Sequence, residues 1–148
     1  MSIKYSMSEI LSELPAMKKK ADKVALLRKN ENIPFRNVLR LIYDTEVEFL
    51  LPESPPPWKP NEFEDEAKTM LYREARRLKI FIKGGGYEDM KPEVKRENLF
   101  ISLLEAIDND DAKLIANHML SHTKIPGLTK ATLEEAYPDL FTTPMDMR

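Results

Sequence analysis

Apolar side chains recur every three or four residues along most of this chain. This spacing is typical of helices that bury one face against a core. It predicts an all-α fold: a single compact domain of six or seven helices, packed orthogonally rather than as an up-down bundle. The predicted helices span about residues 6–14, 16–29, 34–43, 61–83, 92–107, 111–120 and 129–137.

Short polar residues and prolines mark where these helices begin and end. Ser6 and Glu9 have the spacing of a capping box, in which each side chain accepts a hydrogen bond from a free backbone N–H. Pro34 suits the first turn of the third helix, where its missing N–H costs nothing. Asn30 and Asn32 suit the end of the helix before it.

Residues 44–60 interrupt the helical pattern. The stretch around Phe49 alternates between polar and apolar residues and suits an extended conformation, and five prolines then exclude regular structure. We interpret this acidic, proline-rich segment as a rigid loop that packs on the domain, with Trp58 as its apolar anchor. A stiff linker and a ligand for an aromatic groove are the alternatives. The predicted domain spans residues 1–141, and residues 142–148 form a frayed tail.

The composition fits a globular domain and excludes several classes of function. The 148 residues are 42% hydrophobic and 32% charged, enough for a sizeable core. The absence of cysteine excludes a disulfide framework and a thiolate metal site. No apolar run reaches the length of a membrane span, and the first residues lack the layout of a signal peptide. We therefore expect a cytoplasmic protein without a membrane partner.

Charge is unevenly distributed, although the net charge is only −2. Residues 1–43 carry a net charge of +5 and residues 67–98 carry +4, whereas residues 44–66 carry −7 and residues 99–148 carry −4. Two basic blocks therefore alternate with two acidic ones. Ordinary solvated helix faces explain such blocks, and so does a surface for a polyanion such as nucleic acid.

The basic residues of the two blocks fall on the outer sides of predicted helices, where they suit phosphate contacts that carry no sequence information. At about 100° per residue, the fourth helix gathers its cations and a tyrosine in one sector, and this tyrosine is placed to stack on a base or sugar. The candidate DNA-binding residues are Lys18, Lys19, Lys23, Arg36 and Arg40 in the first block and Lys68, Tyr72, Arg76, Lys79 and Lys83 in the second.

Glycines next to lysines give two further candidate contacts. The run Gly84, Gly85 and Gly86 follows a predicted helix, so it lacks the strand that precedes a nucleotide-binding loop. It is either a helix stop in left-handed conformation or a place where the backbone approaches a nucleic-acid phosphate. Gly127, near Lys124, has the same two interpretations.

The remaining polar motifs do not form a catalytic set. His118 and His122 suit one helix face, but no third metal ligand accompanies them. The aspartates at 108, 110 and 111 lack the full pattern of a calcium loop and suit a turn and a helix cap. Glu74, close to an apolar stripe, suits an ion pair with a basic partner. We expect no enzyme activity, cofactor, metal or small-molecule substrate.

The order of these features resembles the N-terminal domain of the DNA ligases of T-even bacteriophages. The resemblance begins with Ala25-Leu26-Leu27-x-Lys29-Asn30 after a lysine-rich lead, and a helix then ends in Val38-x-Arg40-Leu41-x-Tyr43. An aromatic and apolar stretch with a Pro-Trp/Lys segment follows up to Pro60. An acidic turn, the Ile115-Ala116-Asn117 triplet and the Pro126-Gly127-Leu128 step complete the order over most of residues 8–130.

The ligase domain is all-helical and grips duplex DNA around a nick, mostly through backbone and minor-groove contacts. The resemblance implies a free-standing, phage-encoded relative that binds intact or nicked duplex DNA in the cytoplasm of an infected bacterium. The sequence lacks the Lys-x-Asp-Gly motif of the catalytic domain that follows in the ligases. The resemblance therefore implies binding without ligation.

The acidic segments favour a different use of the same scaffold, because acidic surface repels DNA. The alternative is an adaptor that binds a phage or host protein. Its binding surface is either the acidic proline-rich loop around Pro56, Pro57 and Trp58 or an exposed helix groove.

Overall fold

The computed structural model describes residues 5–60 and 70–145, and caps and prolines divide these residues into seven α-helices. The helices are α1 (Met7–Ser12), α2 (Lys20–Lys29), α3 (Ile33–Tyr43), α4 (Leu71–Glu74), α5 (Val94–Ala106), α6 (Asn109–Leu114) and α7 (Lys130–Ala136). The described residues contain no β-strand, which confirms the all-α prediction. None of the described helices is long and apolar enough to cross a membrane.

Tighter or wider turns follow three of the helices. A 3-10 turn (Leu14–Ala16) follows α1, a 3-10 segment (Ala75–Phe81) follows α4, and a π-helical turn (Ile115–Met119) follows α6. The prediction of one long helix over residues 61–83 is wrong for its second half, because the short α4 is followed there by 3-10 geometry. Its first half, residues 61–69, lies outside the described residues. Since three residues complete a 3-10 turn, positions spaced for an α-helix no longer share one face there.

Side-chain caps fix where the helices begin. The Ser6 hydroxyl oxygen accepts a hydrogen bond from the Glu9 backbone N–H at 3.2 Å, which confirms the Ser6 half of the predicted capping box. The Glu9 carboxylate accepts from the Ser6 hydroxyl at 3.1 Å rather than from a backbone N–H. Pro34 lies in the first turn of α3, as expected. Asn32, expected at the end of α2, instead caps α3, because its side-chain oxygen accepts from the Phe35 N–H at 2.9 Å.

Helix α3 forms the centre of the core. Phe35, Val38, Leu39 and Ile42 are fully buried, as their spacing predicted. Helix α3 contacts α4, the 3-10 segment after it and the π-helical turn, while α2 packs on α7 and α1 packs on α6. Burying one such apolar side chain contributes about 1.5–3 kcal/mol, so this packing dominates the stability.

The apolar stripes predicted for the later helices are buried as well. These residues are Phe100, Leu103, Leu104, Ile107, Ala112, Ile115, Ala116, Met119, Leu133 and Ala136. Helical spacing also predicts that Ala21 and Met70 face the core, and both predictions are wrong, because Ala21 is exposed on α2 and Met70 is 38% exposed. Met70 is extended, with a ψ of 145°, so it precedes α4 rather than lying on its inner face.

The proline-rich segment packs on the domain. Phe49 and Ile82 form an isolated antiparallel bridge, in agreement with the extended conformation expected there. Trp58 is half-buried against the core, which confirms its role as an anchor. The Lys59 backbone N–H donates to Glu105 Oε2 on α5 at 2.8 Å and holds the end of the segment.

A buried carboxylate joins α6 to α1. Asp111 is 1% exposed, and its Oδ1 accepts a hydrogen bond from the Ser8 backbone N–H at 2.9 Å. Burial raises the pKa of Asp111 above its ordinary value, although the hydrogen bond from Ser8 acts in the opposite direction. The neighbouring Asp108 caps α6, as expected of this turn, and starts the helix two residues earlier than predicted.

Replacing Asp111 by Asn should stabilise the fold at neutral pH. A carboxyl group whose pKa is raised on folding stabilises the native state most below its ordinary pKa, and this contribution is lost as pH rises through the raised pKa. The ionised Asp111 therefore carries a desolvation cost at neutral pH. Asp111→Asn removes that cost, while its amide oxygen can still accept from the Ser8 N–H.

Urea unfolding of Asp111→Asn and wild type at about pH 7, above the usual carboxyl range, and at about pH 4, within it, measures this effect. The advantage of the variant should shrink at the lower pH. Asp110→Asn, an exposed position in the same helical turn, is the control. If Asp111→Asn changes the free energy of unfolding equally at both pH values, the ionised carboxylate does not carry this cost.

Candidate nucleic-acid interface

Two segments far apart in sequence meet where Gly127 packs against Pro15. A Cβ added at Gly127 would lie 2.6 Å from the Pro15 nitrogen and 2.8 Å from the Leu14 carbonyl carbon, so only glycine allows this approach. The φ of +80° at Gly127 also lies in the left-handed region. Lys23 Nζ donates a hydrogen bond to the Gly127 carbonyl oxygen at 2.7 Å. The close approach at Gly127 is therefore to the backbone of the same chain, rather than to a nucleic-acid phosphate.

A hydroxyl group from α3 holds the loop that carries Gly127. Tyr43 Oη donates to the Leu128 carbonyl oxygen at 2.6 Å and accepts from the Ile125 N–H at 2.8 Å. Burial raises the pKa of Tyr43, so its hydroxyl remains a donor at neutral pH. Leaving a buried backbone group without such a partner costs about 1–3 kcal/mol. The core helix thus fixes the position of the loop.

Four lysines belong to the segments that meet at this contact: Lys18, Lys19, Lys23 and Lys124. We call them the lysine patch. Lys124 is three residues from Gly127. Because consecutive Cα atoms are about 3.8 Å apart, the Cα atoms of these two residues are at most about 11 Å apart. Lys23 is half-buried and the other three are exposed. None of the four forms an ion pair within residues 5–60 and 70–145.

The two arginines of α3 are neutralised by carboxylates. Arg36 contacts Glu31 at 2.6 Å and Asp139 at 3.0 Å, and Arg40 contacts Asp44 at 3.3 Å. Although burial acts in the opposite direction, hydrogen bonds to Asp139 and Glu31 raise the pKa of Arg36. Arg36 in turn holds the pKa of Asp139 below its ordinary value. Both arginines, which the sequence predicts as DNA contacts, are therefore already paired with carboxylates of this chain.

Tyr72 lies in the core rather than on the surface. It is 9% exposed, and its hydroxyl donates to the Tyr5 carbonyl oxygen at 2.9 Å. Burial raises the pKa of Tyr72 to about 12. The prediction that Tyr72 stacks on a base is wrong, because the single turn of α4 buries Tyr72 together with Leu71.

The cations predicted to share a sector with Tyr72 have different environments. Lys83 forms an ion pair with Glu48 at 3.2 Å. Arg76 is exposed and Lys79 is half-buried. Lys68 lies outside the described residues. The predicted stripe therefore leaves Arg76 as its one exposed cation without an ion pair among the described residues.

The glycine turn is already occupied by an anion from the same chain. Glu88 Oε1 accepts hydrogen bonds from the backbone N–H groups of Gly84 and Gly86, which lower the pKa of Glu88. The φ angles of +90° at Gly84 and +95° at Gly86 confirm the left-handed conformation expected of a stop. A Cβ added at Gly85 would overlap the Lys79 carbonyl oxygen, so the backbone of Gly85 packs directly against this group. The N–H groups that a phosphate needs are thus directed at Glu88.

The two basic blocks converge in a shared groove of about 560 Å³. Its cations are Arg40, Lys79 and Lys83, with Gly84 and Gly85 beside them. Its carboxylates are Asp44, Glu46 and Glu48. Because opposite charges balance within this groove, it gives a phosphate backbone little electrostatic attraction.

A larger groove, of about 890 Å³, lies between α1 and the turn from α2 to α3. We call it the acidic groove. Its principal lining residues are Tyr5, Glu9, Glu13, Leu26, Glu31 and Tyr72. Glu9 and Glu13 are one helical turn apart, a pair that is visible in the sequence. The approach of Glu31, which comes from another element of the fold, is not visible in the sequence.

Comparison with known protein families gives a match over most of this sequence. Residues 10–123 match a family of unknown function, DUF6433. The chain belongs to DUF6433. The match covers α2, α3 and three residues of the lysine patch, and it ends one residue before Lys124. No curated protein and no solved structure matches the sequence.

Other polar residues of this DUF6433 chain have structural partners. Glu74 forms an ion pair with Arg77 at 3.1 Å, which confirms the partner expected for this carboxylate. His118 and His122 direct ring nitrogens at backbone carbonyl oxygens, the shortest contact being 2.8 Å from His122 Nε2 to Val47. Among the described residues, no group of three or more His, Cys, Asp or Glu is positioned to hold a metal ion.

The residues predicted for a protein partner on the proline-rich loop are partly covered. Pro56 and Trp58 are half-buried, and Pro57 is exposed. Since Trp58 packs on the core, it is not free to enter a partner's pocket. The loop of this DUF6433 chain therefore presents less apolar surface than its sequence suggests.

Gly127→Ala should lower the free energy of unfolding by about 2–6 kcal/mol, since the strained conformation and the overlap with Pro15 each cost about 1–3 kcal/mol. Gly86→Ala is the matched control. It shares the positive φ, but nothing lies within 4 Å of the added Cβ, so only about 1–2 kcal/mol is expected. Urea unfolding measures both values. Equal losses for the two variants would contradict the close approach of Gly127 to Pro15.

Proposed function

We propose that this chain is a non-enzymatic accessory protein that binds duplex DNA through its backbone phosphates. The lysine patch carries the proposal. It consists of four lysines in two segments joined by the Lys23–Gly127 hydrogen bond, and the described residues provide none of the four with an ion pair. Lysine supplies positive charge without sequence information, so the binding we propose is non-specific.

The proposed contact surface is smaller than the one predicted from the sequence. Arg36, Arg40 and Lys83 already face carboxylates of the chain. Separating these pairs would direct their carboxylates at the phosphates and offset the gain. We therefore limit the proposed surface to the lysine patch.

The resemblance to the ligase domain supports duplex DNA as the partner. The lysine-rich lead of the shared pattern contains Lys18, Lys19 and Lys23, and its last step contains Gly127. These two ends of the pattern are in contact in this fold. On that basis we propose an intact or nicked duplex as the ligand, in the cytoplasm of an infected bacterium if the chain is phage-encoded.

Binding to a short duplex should weaken steeply with salt. Four phosphate contacts correspond to a slope of about −3.6 in a plot of log K against log salt concentration. Affinity should therefore fall about 100-fold between about 50 and 200 mM salt, from a dissociation constant in the micromolar range. Fluorescence anisotropy with a labelled duplex, intact and nicked, measures this slope, and a flat response rejects the proposal.

Single substitutions test whether the lysine patch makes these contacts. Lys18→Gln and Lys124→Gln, one in each segment, should each reduce the magnitude of the slope by about 1. Lys95→Gln is the matched control, because Lys95 is an exposed lysine of α5 without an ion pair among the described residues. If Lys83→Gln changes the slope and Lys124→Gln does not, the DNA lies in the groove of balanced charge and the proposed surface is wrong.

A second candidate function, binding of a phage or host protein, is supported by the acidic groove. Three carboxylates line it, and such a surface repels DNA and attracts a basic partner. The proline-rich loop supports this function less, because Trp58 packs on the core and the Lys59 N–H is bonded to Glu105.

A further inference from the structure

The acidic groove has an excess of negative charge. Glu9, Glu13 and Glu31 line it, Lys29 is the one cation among its described lining residues, and Arg36 pairs with Glu31 from outside them. Phosphate groups of nucleic acids and of anionic lipids are repelled by such a surface, whereas Lys and Arg side chains are attracted to it. Charge complementarity therefore favours a basic occupant.

The carboxylates of the groove retain oxygen atoms for a ligand. Glu13 forms no hydrogen bond or ion pair through its side chain with any residue that the structure describes. Glu9 accepts from the Ser6 hydroxyl through Oε1 at 3.1 Å, and its Oε2 remains available. Glu31 uses Oε2 for Arg36 at 2.6 Å and keeps Oε1. Acceptors on two elements thus surround one space.

Aromatic and aliphatic surface lies beside these carboxylates. Tyr5 is 58% exposed, and the hydrogen bond from Tyr72 to its carbonyl oxygen fixes its backbone at the edge of the groove. Leu26 is half-buried and lines the same space. A volume of about 890 Å³ is within the range of sites that enclose small ligands or short chain segments.

We infer that the acidic groove binds an arginine-containing segment of a partner protein. A guanidinium group forms paired hydrogen bonds with a carboxylate and stacks on a tyrosine ring, so it uses both kinds of surface in the groove. An apolar residue next to the arginine packs on Leu26. This inference deepens the second candidate function and is independent of DNA binding by the lysine patch.

A fluorescein-labelled peptide of repeated Gly-Arg-Leu units is the probe, and fluorescence anisotropy with the full chain gives its affinity. Glu13→Gln should weaken binding about tenfold, the scale of one charge-assisted hydrogen bond. Tyr5→Leu should weaken it about threefold through loss of the cation–π contact. Glu134→Gln, at an exposed position of α7 without an ion pair among the described residues, is the control and should bind as wild type does.

Two matched peptides define the specificity. Replacing Arg by Lys should weaken binding, because lysine lacks the paired donors, and replacing Arg by Glu should abolish it. The inference is overturned if the arginine peptide does not bind, if Glu13→Gln and Glu134→Gln bind it equally, or if sedimentation shows that a second copy of the chain fills the groove at low salt. The DNA affinity of Glu13→Gln should not fall below that of wild type, because the change removes a negative charge, so failure here is separate from failure of the lysine patch.

Discussion

The close approach of Gly127 to the Pro15 backbone brings together the two segments that carry the lysine patch. The contact joins a 3-10 turn (Leu14–Ala16) to an irregular loop, so no α-helix or sheet enforces it. It depends on the missing Cβ of Gly127, on the hydrogen bond from Lys23, and on the two hydrogen bonds of the Tyr43 hydroxyl that hold the loop. Without this contact, Lys18 and Lys124 would belong to separate surfaces.

Ion pairs within the chain separate the cations that hold the fold from those that remain available. Arg36 and Arg40 fasten the C-terminal segment and the end of α3, and such partly exposed pairs contribute only about 0–1 kcal/mol each. Their larger effect is to remove positive charge from the surface.

The sequence predicts the core better than it predicts the surface. Helical spacing places Phe35, Val38 and Phe100 in the core, because a buried stripe repeats locally along each helix. The environment of Tyr72 depends instead on where α4 starts and on the change to 3-10 geometry, which spacing does not encode. Pairs such as Arg36 with Asp139, 103 residues apart, depend on tertiary packing and have no local pattern.

Chemical-shift mapping with nitrogen-labelled protein and a short DNA duplex tests the central claim most directly. We expect the amides of residues 17–23 and those of residues 124–128 to shift together, at one DNA concentration, because the Gly127–Pro15 contact makes them one surface. Shifts confined to one of these segments, or centred on Arg36, Arg40 and the glycine turn, would contradict it.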